Sequence, residues 1–245
     1  MDIMPDDTLF TSSLRASRLR QLDLLDPTKI FCEEILIVGV GNVGSWTALW
    51  LTKMGFLTLK TVDFDSVELH NVGSQFYGPA HVGQLKVIAL GKRLIEDGTG
   101  PELLCRSISR PFEPKDLLTS KVVIMSVDQM SVRRQIVESW LPECPTKLFI
   151  DSRVGRFAIR VIAFRPEDIQ WYLDATWFDD SKAEEIPCGQ QSIIDVQAFA
   201  SGLVARQVRV FMTSGQINKD VIFDVENLQL ITGYQDSSII DEVDL

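Results

Sequence analysis

The chain has 245 residues, of which 45% are hydrophobic and 24% are charged, a composition typical of a globular protein. No run of about 18 apolar residues exists, which argues against a membrane span, and the first residues lack the apolar core of a signal peptide. The 34 acidic side chains outnumber the 24 basic ones, and the net charge of −10 argues against nonspecific nucleic-acid binding.

The potential metal ligands are scattered along the chain. The only histidines are His70 and His81, and no Cys-x-x-Cys pair occurs among Cys32, Cys105, Cys144 and Cys188. A structural zinc site usually needs four such ligands, two of them closely spaced. We therefore predict no zinc, and we expect reduced thiols in a cytoplasmic protein.

Hydrophobic patterning predicts an α/β domain after a short arm. Residues 1–33 are polar with leucines at roughly helical spacing, which indicates an N-terminal helical arm. Residues 34–235 alternate β-branched runs with helical stripes, the pattern of a Rossmann-like, mostly parallel sheet flanked by helices. Strands are predicted at 35–40, 57–62, 102–108, 121–127, 148–150 and 157–164, and helices at 43–54, 83–97, 129–140 and about 192–213.

The C-terminal part departs from this alternation. Residues 165–191 carry four aromatic side chains among many acids, and we expect them to form a long, exposed crossover loop. Additional strands are predicted at 221–224 and 228–231, and a mobile acidic tail at 236–245.

A glycine-rich turn follows the first predicted strand. Gly39, Gly41 and Gly44 form Gly-x-Gly-x-x-Gly between a strand and a helix, a pattern that lets backbone approach a phosphate at the helix N-terminus. Asp63 ends the next strand, where a carboxylate can accept hydrogen bonds from ribose hydroxyls. A tight turn without a ligand is the alternative. The motif predicts an adenine nucleotide and does not separate NAD from ATP.

Three further segments distinguish between NAD and ATP as the predicted ligand. Residues 63–76 read DFDSVELHNVGSQF, residues 82–87 read VGQLKV, and residues 122–133 read VVIMSVDQMSVR. With the glycine motif, this order of segments resembles the ubiquitin-activating-enzyme family of ThiF/MoeB-type adenylyltransferases. The resemblance extends from about residue 15 to residue 213. It implies a Rossmann-like domain that uses ATP and Mg²⁺.

The resemblance also implies a set of site residues. Lys86 and Asn71 would stabilise negative charge on the transferring phosphate, and Asp128, at a strand end, would hold Mg²⁺ through oxygen. Taken singly, Lys86 could be a solvated helix lysine and Asp128 a helix N-cap. The other matched positions are Asp63, Asp65, Val67, Gln75 and Gly83, together with the glycines Gly39, Gly41 and Gly44.

One position departs from the family pattern. Ser74 stands where the family has the arginine of an Arg-Gln pair, so a guanidinium that would grip the triphosphate is missing. Either another arginine replaces it, for which Arg153 is our candidate, or adenylation is impaired. An N-terminal Arg-Gln of the family reaches into the partner subunit, and Arg20-Gln21 matches it. That match implies a homodimer, and surface arginines without this role are the alternative.

Cys188 is a candidate nucleophile. It lies within Pro187-Cys188-Gly189, just before the last long predicted helix, and a helix N-terminus lowers the pKa of a nearby thiol. Some members of the family use a cysteine in this region to form a thioester or persulfide, whereas others complete adenylation without one. An inert thiol is therefore the alternative.

The resemblance implies ATP-dependent adenylation of the C-terminal carboxylate of a small ubiquitin-like or sulfur-carrier protein. Two other enzymes of this class are alternatives, a tRNA threonylcarbamoyladenosine dehydratase, which the acidic composition disfavours, and a peptide-modifying enzyme. A degenerate nucleotide-binding partner subunit is the alternative without catalysis, and Ser74 supports it. A nicotinamide oxidoreductase would leave Lys86, Asn71 and Asp128 unexplained.

Overall fold

The computed structural model describes residues 7–99, 103–182 and 193–233. Its helices are α1 (Asp7–Ser17), α2 (Asn42–Met54), α3 (Lys86–Arg93), α4 (Met130–Glu138), α5 (Ile169–Ala175) and α6 (Ile194–Ser214). Its strands are β1 (Ile35–Val38), β2 (Thr58–Val62), β3 (Leu104–Ile108), β4 (Val122–Met125), β5 (Leu148–Gly155), β6 (Ala158–Phe164), β7 (Asp220–Asp224) and β8 (Gln229–Thr232). None of the helices in these ranges is long and apolar enough to cross a membrane.

All eight strands form one sheet in the order β3-β2-β1-β4-β5-β6-β7-β8. The first five strands of that order are parallel, and β6, β7 and β8 pair antiparallel. The predicted Rossmann-like, mostly parallel sheet with extra C-terminal strands is thus confirmed. Strand order reverses between β1 and β4, and ligands of open α/β sheets bind at such a switch point, beyond the carboxyl ends of the strands.

The central strands are apolar on both faces because both faces are covered. In β1, Ile35 and Ile37 pack into one hydrophobic cluster with residues of α2 and α6. The alternate residues Leu36 and Val38 pack into a second cluster, with residues of α4 and α5. The period-two geometry of a strand sends alternate side chains to opposite faces, so an unbroken apolar run is what a covered parallel sheet requires.

The N-terminal arm contains one described α-helix, which covers only part of the leucine pattern. Helix α1 ends at Ser17, and short 3₁₀ turns follow at Leu19–Gln21 and Pro27–Lys29. Leu14 and Leu25 are buried, whereas Leu19 is 71% exposed. Apolar spacing in this arm therefore reflects two separate contacts with the domain and not one continuous helical stripe.

The predicted crossover loop at 165–191 is wrong in its first half. Helix α5 begins at Ile169, and Tyr172 within it is completely buried against the sheet. The Tyr172 ring stacks on Phe164 of β6 at 4.3 Å between ring centroids. The sequence did not reveal this helix, because its apolar face is only a few residues wide and lies among acidic residues. Cys188 and the predicted tail at 236–245 lie outside the described residues.

Stability should depend strongly on Tyr172. Replacing Tyr172 by Ala removes a buried ring and leaves a cavity, so urea unfolding should show a loss of about 3–5 kcal/mol. Tyr172→Phe removes only the hydroxyl, which donates to Asp151 at 2.9 Å, and should cost about 1–2 kcal/mol. Phe157→Ala is the control, because Phe157 is 45% exposed. Similar losses for Tyr172→Ala and Phe157→Ala would contradict the packing role.

Candidate functional site

Two of the three motif glycines are required by close packing, and the third is not. Gly39 has a φ of +85°, and a Cβ there would lie 2.4 Å from the Ser126 carbonyl oxygen. A Cβ on Gly44 would lie 2.0 Å from the Gly39 oxygen. A Cβ on Gly41 would meet only the Gln75 Nε2, at 3.8 Å. Gly41 is the N-cap of α2, so its open face is where an anion can approach the helix N-terminus.

Asp63 braces the glycine turn. One carboxylate oxygen accepts the Val40 amide at 2.8 Å, and the other accepts the Asp65 amide at 2.8 Å. Burial nevertheless raises the pKa of Asp63, because desolvation opposes the charged form more than these donors favour it. The sequence predicted a contact with ribose for this residue, and it did not predict the bracing role that these two hydrogen bonds show.

Lys86 is fixed close to the glycine turn. Its ammonium group pairs with Asp65 at 2.9 Å, and its backbone amide donates to the Asp65 carbonyl at 2.8 Å. The Tyr77 hydroxyl donates to the Val40 carbonyl at 2.8 Å and lies 3.3 Å from the Lys86 carbonyl. The Lys86 side chain is only 10% exposed, while Asp65 is half exposed. A ligand phosphate could therefore take the place of Asp65 at little cost.

Asn71 and Gln75 carry polar groups that the described protein leaves without partners. The Asn71 oxygen accepts the Glu68 amide at 2.8 Å, and no described residue accepts from its side-chain nitrogen. The Gln75 Oε1 is buried and has no partner in the described part of the chain. Buried polar atoms are nearly always paired, so an orphaned acceptor beside Gly41 fits a site that a polar ligand completes.

Ser74, at the position of the family arginine, holds the turn together. Its hydroxyl donates to the Asn42 side chain at 2.9 Å, and its carbonyl accepts from the Trp46 indole at 2.9 Å. Both partners belong to α2. The serine therefore links this segment to the helix that follows the glycine turn, and it brings no positive charge.

The Arg153 guanidinium is engaged by Asp151 and Thr176. Its guanidinium contacts the Asp151 carboxylate at 2.7 and 2.9 Å and the Thr176 carbonyl at 2.7 Å. Burial lowers the pKa of Arg153. These contacts commit the guanidinium to a buried cluster, so nothing in the described geometry supports the expected replacement of the missing arginine.

A buried cluster with two arginines and one aspartate lies under the end of β4. Arg133 of α4 contacts Asp151, which also binds Arg153 and the Tyr172 hydroxyl. Burial, together with the nearby cation Arg153, lowers the pKa of Arg133 to about 9. Sequence reasoning missed Arg133 and Asp151. The signal was an aspartate directly after the predicted strand at 148–150 and an arginine one turn into the helix that follows Asp128.

Asp128 follows β4 at the same edge of the sheet as the glycine turn. It is exposed and has no hydrogen-bond or salt-bridge partner among the described residues. No group of three or more His, Cys, Asp and Glu side chains in those residues could hold a metal alone. Mg²⁺ is usually bound by one or two carboxylates, with phosphate oxygens and water completing its shell. Asp128 beside a bound triphosphate fits that donor set.

Arg20 is exposed on the arm and has no hydrogen-bond or ion-pair partner among the described residues. Its neighbours attach the arm to the end of α2, since Arg18 donates to the Thr52 carbonyl at 2.8 Å and Gln21 to the Met54 carbonyl at 2.6 Å. Leu19 and Leu24, on either side, are more than 70% exposed. The structure thus brings the glycines, Asp63, Asp65, Asn71, Gln75 and Lys86 together, and it leaves Arg20 free at the surface.

Comparison with curated proteins finds relatives over part of the chain. Ubiquitin-like modifier-activating enzyme 5 of Drosophila erecta is 40% identical over 81 residues, which is 33% of this chain and 20% of that protein. The protein of the same name from Oryza sativa subsp. japonica is 35% identical over 96 residues, covering 39% and 22%. The matched segment thus spans about a fifth of the length of these relatives.

Solved structures share the fold over most of the chain. A crystal structure of PaaA has a TM-score of 0.68 at 16% identity and covers 95% of this chain and 75% of that one. E. coli MccB with ATP has a TM-score of 0.65 at 16% identity, covering 84% and 65%. At such identity the likeness shows the fold alone.

The ThiF family pattern, however, matches residues 15–219, which include the glycine turn, Lys86 and Asp128, and the chain therefore belongs to the ThiF family.

Proposed function

We propose that the protein is an ATP-dependent adenylyltransferase that activates the C-terminal carboxylate of a small ubiquitin-like, sulfur-carrier or peptide acceptor. The observation that carries the proposal is the open face of Gly41 at the N-terminus of α2, beside an orphaned Gln75 oxygen and the fixed Lys86. Membership of the ThiF family supports ATP over NAD as the nucleotide.

The proposed nucleotide site uses backbone for the phosphates and side chains for their charge. The first amides of α2 lack helical partners and favour an anion at Gly41. Lys86, released from Asp65, supplies the positive charge, and Asn71 supplies a neutral donor. The Gln75 Oε1 is an acceptor for a hydroxyl or amino group of the nucleoside. Bound Mg²⁺, held by Asp128, would neutralise phosphate charge.

The proposed reaction transfers AMP to the acceptor. A carboxylate oxygen of the acceptor attacks the α-phosphorus, the bond from that phosphorus to the bridging oxygen breaks, and pyrophosphate leaves with the electron pair. Negative charge builds up on the phosphoryl oxygens in the transition state, where a nearby cation stabilises it most. In this proposal, Lys86 and Asn71 act at that point, and a thiol such as Cys188 could act only on the finished adenylate.

The nature of the acceptor rests on the relatives. The curated relatives are named as activating enzymes of a ubiquitin-like modifier, and MccB was solved together with MccA. These names support a carboxylate carried by a ubiquitin-like protein or by a peptide. A noncatalytic nucleotide-binding subunit remains the second candidate, because Ser74 brings no charge to the position of the family arginine.

ATP–pyrophosphate exchange with candidate acceptors tests the adenylation proposal. The wild-type chain should exchange label only with Mg²⁺, ATP and a suitable acceptor, and NAD should bind far more weakly than ATP in calorimetry. Lys86→Ala should lower exchange about 10²- to 10³-fold, since one electrostatic contact in the transition state is lost. Lys92→Ala removes an exposed lysine from the same helix and should leave the rate unchanged. Nucleotide binding without exchange for any acceptor would favour the noncatalytic subunit.

Substitutions of the motif glycines distinguish a loss of phosphate binding from a loss of stability. Gly41→Ala should leave the melting temperature nearly unchanged and weaken binding of a nonhydrolysable ATP analogue at least about tenfold, because its methyl group enters the phosphate space. Gly44→Ala should instead lower the melting temperature sharply, because its Cβ collides with the Gly39 oxygen. Gly202→Ala on α6, where a Cβ has open space, is the matched control. Unchanged ATP affinity in Gly41→Ala would contradict the phosphate assignment.

Subunit mixing tests whether Arg20 acts in the site of a partner subunit. Arg20→Ala and Lys86→Ala chains should each be nearly inactive, and an equilibrated mixture should regain about a quarter of wild-type exchange, since only mixed dimers contain an intact composite site. Arg15→Ala, which removes another exposed arginine of the arm, should stay active. A fully active monomer, or a mixture with no regained exchange, would refute the composite site.

A further inference from the structure

Helix α4 is capped from a distant part of the chain. The N-cap residue Gln129 makes no side-chain hydrogen bond to the helix. Asp180 accepts the Met130 amide at 2.5 Å and the Ser131 amide at 3.2 Å instead, although it lies 50 residues from Met130. The Ser131 side chain and these two amides lower the pKa of Asp180. A carboxylate at a helix N-terminus also interacts favourably with the helix dipole.

The two amides that Asp180 occupies are those that Asp128 would otherwise take. If α4 began one residue earlier, Asp128 would be its N-cap, with Met130 and Ser131 at the N2 and N3 positions. An N-cap side chain bonds to those positions, and aspartate is among the preferred caps. In the structure, the Asp128 carboxylate makes no such bond and is exposed. Asp180 thus removes the donors that compete for it.

The segment Thr176–Asp180 is held in place by further contacts, so this cap is a built feature. The Trp177 indole donates to the Met130 carbonyl at 2.8 Å, and the Arg134 guanidinium lies 4.9 Å from the Trp177 ring. Arg153 donates to the Thr176 carbonyl at 2.7 Å. On the other side of Asp128, Arg133 donates to the Val127 carbonyl. The backbone is therefore fixed on both sides of a carboxylate that stays free.

We propose that Asp180 is a positioning residue for Asp128, which caps α4 in its place and so keeps the Asp128 carboxylate available to a divalent cation. The inference rests on the proposed function, because it takes Asp128 as the magnesium ligand. Without the Asp180 carboxylate, the free amides of Met130 and Ser131 draw Asp128 back toward the helix, and cation binding has to compete with that interaction. Asp180 itself makes no contact with the reacting groups.

Four variants distinguish the loss of the α4 cap from the loss of the Asp180 charge. Asp180→Ala removes both, and Asp180→Asn removes the charge but keeps a good capping side chain. Asp180→Ala with Gln129→Ser supplies a neutral cap one residue before α4. Asp179→Ala removes a neighbouring carboxylate that bonds only within its own turn, to Ser181. Hydrogen exchange at the Met130 and Ser131 amides measures the cap without any ligand or turnover.

The proposal makes a defined prediction for these variants. Asp180→Ala should speed amide exchange at Met130 and Ser131, and should raise the Mg²⁺ concentration for half-maximal ATP–pyrophosphate exchange about five- to tenfold, the effect of one competing N-cap. Its maximal rate at saturating Mg²⁺ should stay close to wild type. Asp180→Asn and the double variant should both return the Mg²⁺ midpoint toward wild type. Asp179→Ala should change neither quantity.

Two results would overturn the role of Asp180. One is faster amide exchange in Asp180→Ala with an unchanged Mg²⁺ midpoint, and the other is a raised midpoint that the Gln129→Ser cap does not correct. A wild-type chain without any pyrophosphate exchange would overturn the adenylation proposal instead. In that case, electron paramagnetic resonance can measure Mn²⁺ binding in the presence of a nonhydrolysable ATP analogue. Comparing the Mn²⁺ affinity of the same variants then tests the role of Asp180.

Discussion

The close approach of backbone at the turn from β1 to α2 is the constraint on which the rest of the site depends. Gly39 lies against the Ser126 carbonyl and Gly44 against the Gly39 carbonyl, at distances that no Cβ could share. This packing brings the end of β1 next to the end of β4 and starts α2 directly above the sheet. Asp63 holds the same turn through the Val40 amide. The open face of Gly41 exists because its neighbours are packed so tightly.

Electrostatics at this edge of the sheet are finely balanced. The chain carries a net charge of −10, and Asp63, Asp65 and Asp128 all follow the strand ends where an anionic nucleotide would lie. Lys86 is a cation of this edge, and Asp65 already pairs with it. Under the proposed function, a polyphosphate is favoured only where backbone amides, Lys86 and a divalent cation act together. That requirement would make nucleotide binding dependent on the metal.

The region after β4 keeps one carboxylate, that of Asp128, unpaired close to the N-terminus of α4. Buried arginines hold the strand end, and Asp180 saturates the first amides of α4. Arg133 and Arg153 share the single carboxylate of Asp151, so the cluster retains positive charge beneath Asp128. The cap from Asp180 leaves Asp128 without a competing donor.

The sequence alone determined the sheet and the glycine turn, because each depends on local pattern. Buried parallel strands are unbroken apolar runs, and Lys86 lies at a fixed spacing from Asp65, to which it is bound. Tertiary structure alone decided the features that join distant segments. Tyr172 is buried because it stacks on β6, Arg153 is withdrawn because Asp151 and Thr176 bind it, and Asp180 caps a helix 50 residues away. No local pattern marks such contacts, because their energy comes from groups that only the fold brings together.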